Sequence, residues 1–192
     1  MKKALAQIAC LLVCVSGAAY AERAHSTHTR GFFSRHNLVF GADTAIAVPL
    51  GNYADANNVG GSIAATGELA LLDMLSGTMR VGFEGHASRD IAGVSSHVHA
   101  LPILFGAKYY LGSERVGLFG AFEAGTFLLM SGASPAVGQG TSSTDVRFGL
   151  GAGIGIQQDR WNVRLNVHTQ DVGNFGSAFM MTGGIGYEFT GL

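Results

Sequence analysis

Residues 177–189 read Ser-Ala-Phe-Met-Met-Thr-Gly-Gly-Ile-Gly-Tyr-Glu-Phe and decide the fold. Every second residue from Phe179 is apolar, with Gly183 as the exception, and the last two of this set are aromatic. The residues between them are small, apart from Met180 and Glu188. A period of two places the two sets on opposite faces of a β-strand. An apolar outer face and a small, partly polar inner face are typical of a barrel wall in lipid.

The same period recurs along the chain and predicts eight strands. They cover residues 37–48, 61–74, 78–88, 97–111, 115–130, 144–157, 161–170 and 177–189. The connections are alternately long and short, which is typical of an up-and-down antiparallel sheet with loops at one end and tight turns at the other. The longer loops lie near residues 49–60, 89–96, 131–143 and 171–176. The sequence therefore predicts an all-β fold, an eight-stranded antiparallel up-and-down transmembrane β-barrel over residues 37–192.

Two local features modify this pattern. Ser76-Gly77 is a pair that favours a tight hairpin turn, and we predict the turn between the second and third strands there. Pro102 lies inside the fourth predicted strand, where it has no N–H group to donate to a neighbour. Because proline in a sheet is found mainly at edges and bulges, we predict a bulge at Pro102.

Residues 1–21 have the composition of a secretory signal peptide. Two lysines precede an apolar segment over residues 4–15, and Ala19-Tyr20-Ala21 is a cleavage site of the small-x-small kind. Both cysteines, Cys10 and Cys14, belong to this segment. The mature chain is therefore expected to have no disulfide framework, no thiolate nucleophile and no cysteine-based zinc site.

Residues 22–36 show no hydrophobic period and are predicted to form a flexible N-terminal segment. His25, His28 and His36 could be weighed as metal ligands, but a polar segment without fixed geometry does not favour ligation, and we expect no metal or other cofactor. Removing the two signal-segment lysines from 12 basic residues leaves 10 against 13 acidic residues, a net charge of −3. Since the chain has no block of five Lys or Arg residues, nucleic acid is not an expected partner.

The inward-facing positions of the predicted strands carry charges of both signs. The six acids and five bases are Asp43, Glu68, Glu84, Glu123, Asp145 and Glu188, and Arg80, Lys108, Arg115, Arg147 and Arg164. Soluble ligand-binding barrels have the opposite pattern, with apolar residues inside, and chance alternation in a soluble β-sandwich is the remaining alternative. Eight strands enclose a lumen just wide enough for side chains, and buried charges are costly unless paired. We therefore predict a structural network of ion pairs that plugs the lumen.

The end of the chain resembles the C-terminal targeting signal of bacterial outer-membrane barrels, polar-x-Gly-x-x-aromatic-x-aromatic, at Thr182, Gly184, Tyr187 and Phe189. Residues 37–189 as a whole resemble the small eight-stranded barrels of the OmpA/OmpX and opacity-protein type. The resemblance implies a place in the bacterial outer membrane, with membrane lipids and, through the last strand, the barrel-assembly machinery as partners. It also implies a structural or adhesion-like role with an unknown surface ligand, and no catalysis.

Two alternatives remain open at this point. Some eight-stranded barrels modify lipid A, and lipid A deacylases have a His-x-Ser pattern near a strand end; residues 168–171, His-Thr-Gln-Asp, come closest here. However, Gln170 stands where the hydroxyl nucleophile belongs, and Thr169 should face outward. A general base needs its nucleophile within hydrogen-bond reach, so His168 is not expected to be catalytic. The other alternative, a narrow pore, needs a continuous wet path that paired charges would close.

Overall fold

A computed structural model describes residues 38–91, 93–112, 115–135 and 139–189, so the predicted signal peptide (1–21) and flexible segment (22–36) lie outside the described residues. The described strands are β1 (Leu38–Pro49), β2 (Gly60–Leu72), β3 (Leu75–His86), β4 (Arg89–Ile91), β5 (Val94–Tyr110), β6 (Gly117–Pro135), β7 (Thr141–Gln158), β8 (Trp161–Thr169) and β9 (Phe179–Phe189). A short helix α1 (Tyr53–Ala56) follows β1, and a 3₁₀ helix (Val172–Ser177) follows β8. Within the described residues, no helix has the length and apolar character needed to cross a membrane.

Eight of these strands form one closed antiparallel sheet. Neighbours around the barrel are β1-β2-β3-β5-β6-β7-β8-β9, and β9 pairs back onto β1. The short β4 pairs only with the start of β5, as a small hairpin outside the ring. The predicted all-β, eight-stranded, antiparallel up-and-down barrel is therefore confirmed. The closed ring also excludes the soluble β-sandwich.

The outer surface of the barrel is apolar on every strand of the ring. Large exposed apolar side chains include Phe40, Ile63, Phe83, Phe105, Phe122, Ile154, Leu165 and Ile185, one from each strand. A β-structure can span a bilayer when its backbone groups are all paired and its outward side chains are apolar. Trp161, Tyr187 and Phe189 form an edge-to-face aromatic cluster at the turn end, with ring centroids 4.7 and 5.6 Å apart, where interface anchors are expected.

The first hairpin turn differs from the prediction. The turn lies at Asp73-Met74, and Ser76 is a fully buried, inward-facing strand residue. A bulge between Ala70 and Leu72 shifts the pairing of β2 with β3. The dipeptide Ser76-Gly77 carries a local turn signal, but continued pairing of β3 with both of its neighbours overrides that signal.

The predicted bulge at Pro102 is also wrong. Pro102 pairs with Phe127 in unbroken register with β6. On the side of β5 that faces β3, the pairing has a gap around Pro102: it runs to Val81↔Ile103 and resumes at Glu84↔Ala100 in the same register. Proline therefore stands where this ladder opens, which is where the lost N–H donor costs least.

Three neighbouring strands extend beyond the rest of the wall at the loop end. β5, β6 and β7 have 17, 19 and 18 residues, against 9 to 13 for the other strands of the ring. The predicted loops 89–96 and 131–143 are largely hairpin, since Arg89 pairs with Ser96 and Ala133 with Thr141. We call residues 94–99, 129–135 and 141–148 the projecting sheet. Pairing of β8 with β7 begins only at Leu150↔Thr169, so residues 141–149 are not paired to β8.

Candidate functional site: the lumen and its mouth

Every second strand of the barrel contributes one charged side chain to a closed ring of ion pairs in the lumen. Asp43 on β1 lies 2.7 Å from Arg80 on β3 and 2.9 Å from Arg164 on β8. Glu123 on β6 lies 3.4 and 3.3 Å from the same two guanidinium groups. Negative and positive side chains alternate around this ring, and each has two partners of opposite charge. Each of the four side chains is at most 14% exposed. We call these four residues the charge ring.

The other four strands contribute a second polar layer closer to the turn end, from Glu68, Lys108, Gln157 and Glu188. Lys108 Nζ is 3.0 Å from the Glu68 carboxylate and donates to Gln157 Oε1 at 3.1 Å. The hydroxyl of Tyr110 donates to Glu68 at 2.8 Å. Tyr110 is not among the predicted lumen residues, although its position two residues after the inward-facing Lys108 is a sufficient signal.

A cavity of about 40 Å³ lies between this layer and the charge ring, lined by residues of both. A second cavity of about 10 Å³ borders Asp43 and Arg164 and extends to Thr182. Spaces of this size with charged and amide walls suit one or two water molecules. Closer to the loop end lies a group of buried apolar side chains with at most 7% exposure, beside the buried polar residues Asn166 and Thr182. We call the apolar group the septum; its members are Ala47, Ala100, Leu104, Phe127 and Met180.

A third polar group, the mouth cluster, borders the septum at the loop end. It consists of Glu84 and His86 on β3, His168 and Gln170 at the end of β8, and Tyr53 of α1. Because β3 and β8 are opposite strands of the ring, Glu84 spans the lumen: its carboxylate accepts from Gln170 Nε2 at 3.0 Å and lies 3.6 Å from His168 Nε2. The imidazole of His168 stacks on the septum at Phe127, with ring centroids 5.6 Å apart.

The loop that carries α1 folds over the mouth cluster as a lid (residues 50–59). The buried Asn57 accepts from the Val98 amide at 3.0 Å through its side-chain oxygen. The Asn58 carbonyl lies 3.1 Å from His86 Nδ1, and Arg89 donates to the carbonyl of Ala54. Burial raises the pKa of the Tyr53 phenol, and the nearby Glu84 carboxylate raises it further, so this hydroxyl keeps its proton at physiological pH.

The structure brings together most, but not all, of the eleven residues predicted to form the interior network. Ion pairs inside the barrel wall join Asp43, Glu68, Arg80, Lys108, Glu123 and Arg164. Glu84 belongs to the mouth cluster, and Glu188 lines the larger cavity. Arg115 lies in the β5–β6 turn with φ +56°, outside the strands.

Asp145 and Arg147 correct the prediction of a lumen position. Their side chains are 53% and 46% exposed, and they pair with each other in the projecting sheet. Arg147 also lies 3.3 Å from Asp171. The alternation of side chains along β7 predicts the correct face of the sheet for both residues. At residues 145–147, however, β7 extends beyond the end of the barrel wall. The inner face of the sheet is therefore open to solvent there.

The described residues offer little to a metal ion or to a hydrolytic mechanism. Among them, no group of three or more His, Cys, Asp or Glu side chains is arranged to hold a metal, and His25, His28 and His36 lie outside the described residues. His168 faces Glu84 inside the lumen. The hydroxyl of Thr169 donates instead to the carbonyl of Asp171 at 3.1 Å, and Gln170 occupies the position that a nucleophile would need.

Neither a family model nor a curated protein matches the sequence. Among solved structures, the chain is similar to Ail, the attachment invasion locus protein of Yersinia pestis, with a TM-score of 0.55 and 10% identity over 79% of this chain and 96% of Ail. The structure of Ail in complex with the heparin analogue sucrose octasulfate has a TM-score of 0.52 and 9% identity, over 79% of this chain and 96% of Ail. Neisserial surface protein A has a TM-score of 0.53 and 12% identity, over 80% of this chain and 97% of its own. These likenesses show the fold, that of the small eight-stranded outer-membrane β-barrels.

Proposed function

We propose that this chain, a small eight-stranded β-barrel of the bacterial outer membrane, is a non-enzymatic surface-interaction protein. The observation that carries the proposal is the projecting sheet. A barrel that only filled the membrane would need strands of similar length, yet β5, β6 and β7 continue into the space beyond the loop end. Ail and Neisserial surface protein A, whose names refer to attachment and to the cell surface, share this fold and support a surface role.

The free edge of the projecting sheet suits contact with another protein. Residues 141–148 are exposed on both faces, and the register of β7 with β6 is unbroken there. An unpaired, regular edge presents backbone donors and acceptors that an extended segment of a partner can use. The exposed pair of Asp145 and Arg147 adds one charge of each sign beside that edge. The proposed ligand is therefore a polypeptide bound through backbone hydrogen bonds.

Charge at the loop end does not favour a polyanionic ligand. Within the described residues, the exposed or half-buried acids there are Asp55, Asp90, Asp145 and Asp171, against the bases Arg89 and Arg147. Binding of sulfated glycans depends on an excess of Lys and Arg, because each contact neutralises an anionic group. Although Ail has been crystallised with a heparin analogue, this chain is not proposed to bind one.

The arrangement of the lumen supports a closed barrel. The charge ring connects four alternate strands, the septum adds buried apolar side chains nearer the loop end, and the lid covers the mouth cluster. An ion crossing this path would have to separate buried ion pairs and pass an apolar layer, and both steps are costly. We therefore propose that the charge ring plugs the barrel, and that the narrow-pore alternative is not its function.

The same geometry supports the absence of catalysis. A lipid A-modifying enzyme must present its base and nucleophile to lipid, whereas the imidazole of His168 is 8% exposed and stacked inside the lumen. The outward wall is instead proposed to contact membrane lipids only through apolar side chains. The last strand, β9, is proposed to be the segment that the barrel-assembly machinery recognises.

Shortening the projecting sheet tests the proposal. Leu129 to Asp145 are replaced by Asn-Gly, which joins the paired residues Leu128 and Val146 through a two-residue hairpin turn and removes most of the projecting part of β6 and β7. Bacteria that display the intact barrel are expected to adhere to an immobilised mammalian glycoprotein layer several-fold better than bacteria that display the shortened one. The matched control places Asn-Gly at Asp73-Met74, the turn at the opposite end, and should leave adhesion unchanged.

Two results would count against the proposal. Adhesion of the intact barrel at the level of cells without it would remove the surface-interaction role. Equal adhesion of the intact and the shortened barrels would show that the projecting sheet does not carry that role.

A further inference from the structure

The projecting sheet has two edges, and among the described residues only the edge on β7 is open. On the β5 side, β4 pairs with residues 94–96, and Asn57 of the lid accepts from the Val98 amide at 3.0 Å. On the β7 side, no described strand pairs with residues 141–149. Proteins usually cover or interrupt sheet edges, because an open edge can pair with another chain. The edge on β7 is therefore the one available to a ligand.

The side chains along this open edge differ between its two faces. Val146 and Phe148 lie on the outer face and are 62% and 56% exposed. Asp145 and Arg147 lie on the inner face, where both are about half exposed. Paired residues in a ladder point to the same side of the sheet, so each residue of an added strand shares the face of the residue opposite it. A bound strand therefore needs apolar side chains on one face and polar side chains on the other.

Acids outnumber bases on the inner face of the open edge. Arg147 donates to Asp145 through Nε at 2.7 Å and also pairs with Asp171 at 3.3 Å. Two carboxylates thus surround one guanidinium group, which gives this place a net charge of −1. A carboxylate of the ligand opposite Arg147 would be a third acid here, whereas a cation opposite Asp145 would balance the charge. Opposite charges stabilise a cross-strand pair and like charges destabilise it.

We propose that the open edge of β7 binds an extended polypeptide segment with a basic residue, Lys or Arg, opposite Asp145. A neutral polar residue lies opposite Arg147, and apolar residues lie opposite Val146 and Phe148. The segment runs antiparallel to β7, because antiparallel pairing is the more stable arrangement per residue. From its N-terminal end it therefore reads apolar, neutral polar, apolar, basic. This inference rests on the proposed function of the projecting sheet and adds the sequence class of its ligand.

A second copy of this chain in the same membrane fits the open edge less well. Two barrels inserted in the same orientation present their β7 strands in the same direction, so the two edges could pair only in parallel. In a two-fold symmetric dimer of this kind, Asp145 would lie beside the same residue of its partner. Like charges at neighbouring cross-strand positions are unfavourable, whereas a separate polypeptide can place a cation there.

Titration of two synthetic peptides against the barrel in nanodiscs tests the proposal. The first peptide, acetyl-Val-Thr-Val-Lys-Val-Thr-amide, has the proposed pattern, and the second has Glu in place of Lys. The readout is the chemical shift of the backbone amides of residues 142–148 at millimolar peptide. We expect the Lys peptide to bind several-fold more tightly than the Glu peptide.

Charge reversal in the barrel provides the matched variants. Asp145→Lys changes an exposed side chain and leaves two bases with one acid at the edge, so it should reverse the preference between the two peptides. Asp90→Lys makes the same change at an exposed position on β4, away from the open edge. This control should retain the preference for the Lys peptide, which separates pairing at the edge from a general effect of charge at the loop end.

Three results would overturn the proposal. They are equal binding of the two peptides, a preference for the Lys peptide that survives in Asp145→Lys, and edge amides that respond to neither peptide. The adhesion comparison of the intact and shortened barrels reports separately on the proposed function. Adhesion that is lost on shortening, together with any of these three results, would remove the ligand pattern and leave the surface role in place.

Discussion

Asp43→Asn is expected to lower the free energy of unfolding of the barrel by about 3 kcal/mol. Asp43 accepts from Arg80 at 2.7 Å and from Arg164 at 2.9 Å, so the substitution leaves two buried guanidinium groups with Glu123 as their shared carboxylate. Removing one partner from a buried charge network is costly because the remaining charges stay desolvated. The adjacent cavity of about 40 Å³ can admit water, which keeps the expected loss at the lower end of the usual range.

The measurement is urea-induced unfolding in lipid vesicles, followed by the fluorescence of Trp161, the one tryptophan of the sequence. The matched control is Asp145→Asn, which makes the same chemical change in the exposed pair with Arg147. Since exposed pairs contribute about 1 kcal/mol or less, the control should scarcely move the unfolding midpoint. Equal effects of the two substitutions would contradict the structural importance of the charge ring.

Gly125→Val is expected to prevent assembly of the barrel or to destabilise it by more than about 3 kcal/mol. Gly125 faces inward on β6, and a Cβ atom there would overlap the carbonyl oxygen of Ile103 and lie 2.9 Å from Leu104 Cα. Both obstacles are backbone atoms of the neighbouring strand, which cannot move aside without breaking the pairing of β5 with β6.

Gly120 on the same strand is the matched control. It faces outward, and a Cβ atom there meets nothing within 4 Å. Gly120→Val should therefore leave folding intact, since β-branched residues suit a strand and an apolar side chain suits a lipid-facing surface. Heat-modifiable mobility on a gel, unboiled against boiled, distinguishes folded from unassembled barrels. A folded Gly125→Val barrel with unchanged mobility would contradict the close approach of β5 and β6.

The sequence was sufficient for the wall of the barrel because a period of two determines which face each side chain occupies. Glu68, Glu84 and Lys108 are inward-facing and buried, as the alternation of side chains along their strands predicts. The partners of each charge could not be predicted in the same way. Asp43 meets Arg164, which is 121 residues away, and that contact depends on the shear of the closed sheet. Shear is a property of the whole ring, which no single strand pattern contains.

The ends of the strands were the least predictable part. The hairpin of β6 and β7 is rich in Ser, Gly and Ala, and this composition resembles a loop although it is paired up to Ala133↔Thr141. As a result, the projecting sheet was missed, and Asp145 and Arg147 were assigned to the lumen. The lid was missed for a related reason: α1 has four residues, too few to show a helical period, and its position depends on contacts with β3 and β5.

These features separate two parts of the molecule with different roles. The lumen is proposed to provide stability through the charge ring and the septum, and substitutions there should change unfolding without changing what the cell surface presents. The projecting sheet is proposed to provide contact, and its shortening should change adhesion without changing stability. The mouth cluster lies between the two parts.

Ion conductance across a planar lipid bilayer tests the central claim of a sealed surface barrel most directly. The mature protein is folded, shown to be heat-modifiable on a gel, and inserted into a bilayer bathed in concentrated potassium chloride. The charge ring, the septum and the lid predict a baseline current without steady steps, even when many barrels are inserted. Reproducible steps of constant size, carried by barrels that a gel shows to be fully folded, would contradict the sealed lumen and restore the pore as the function.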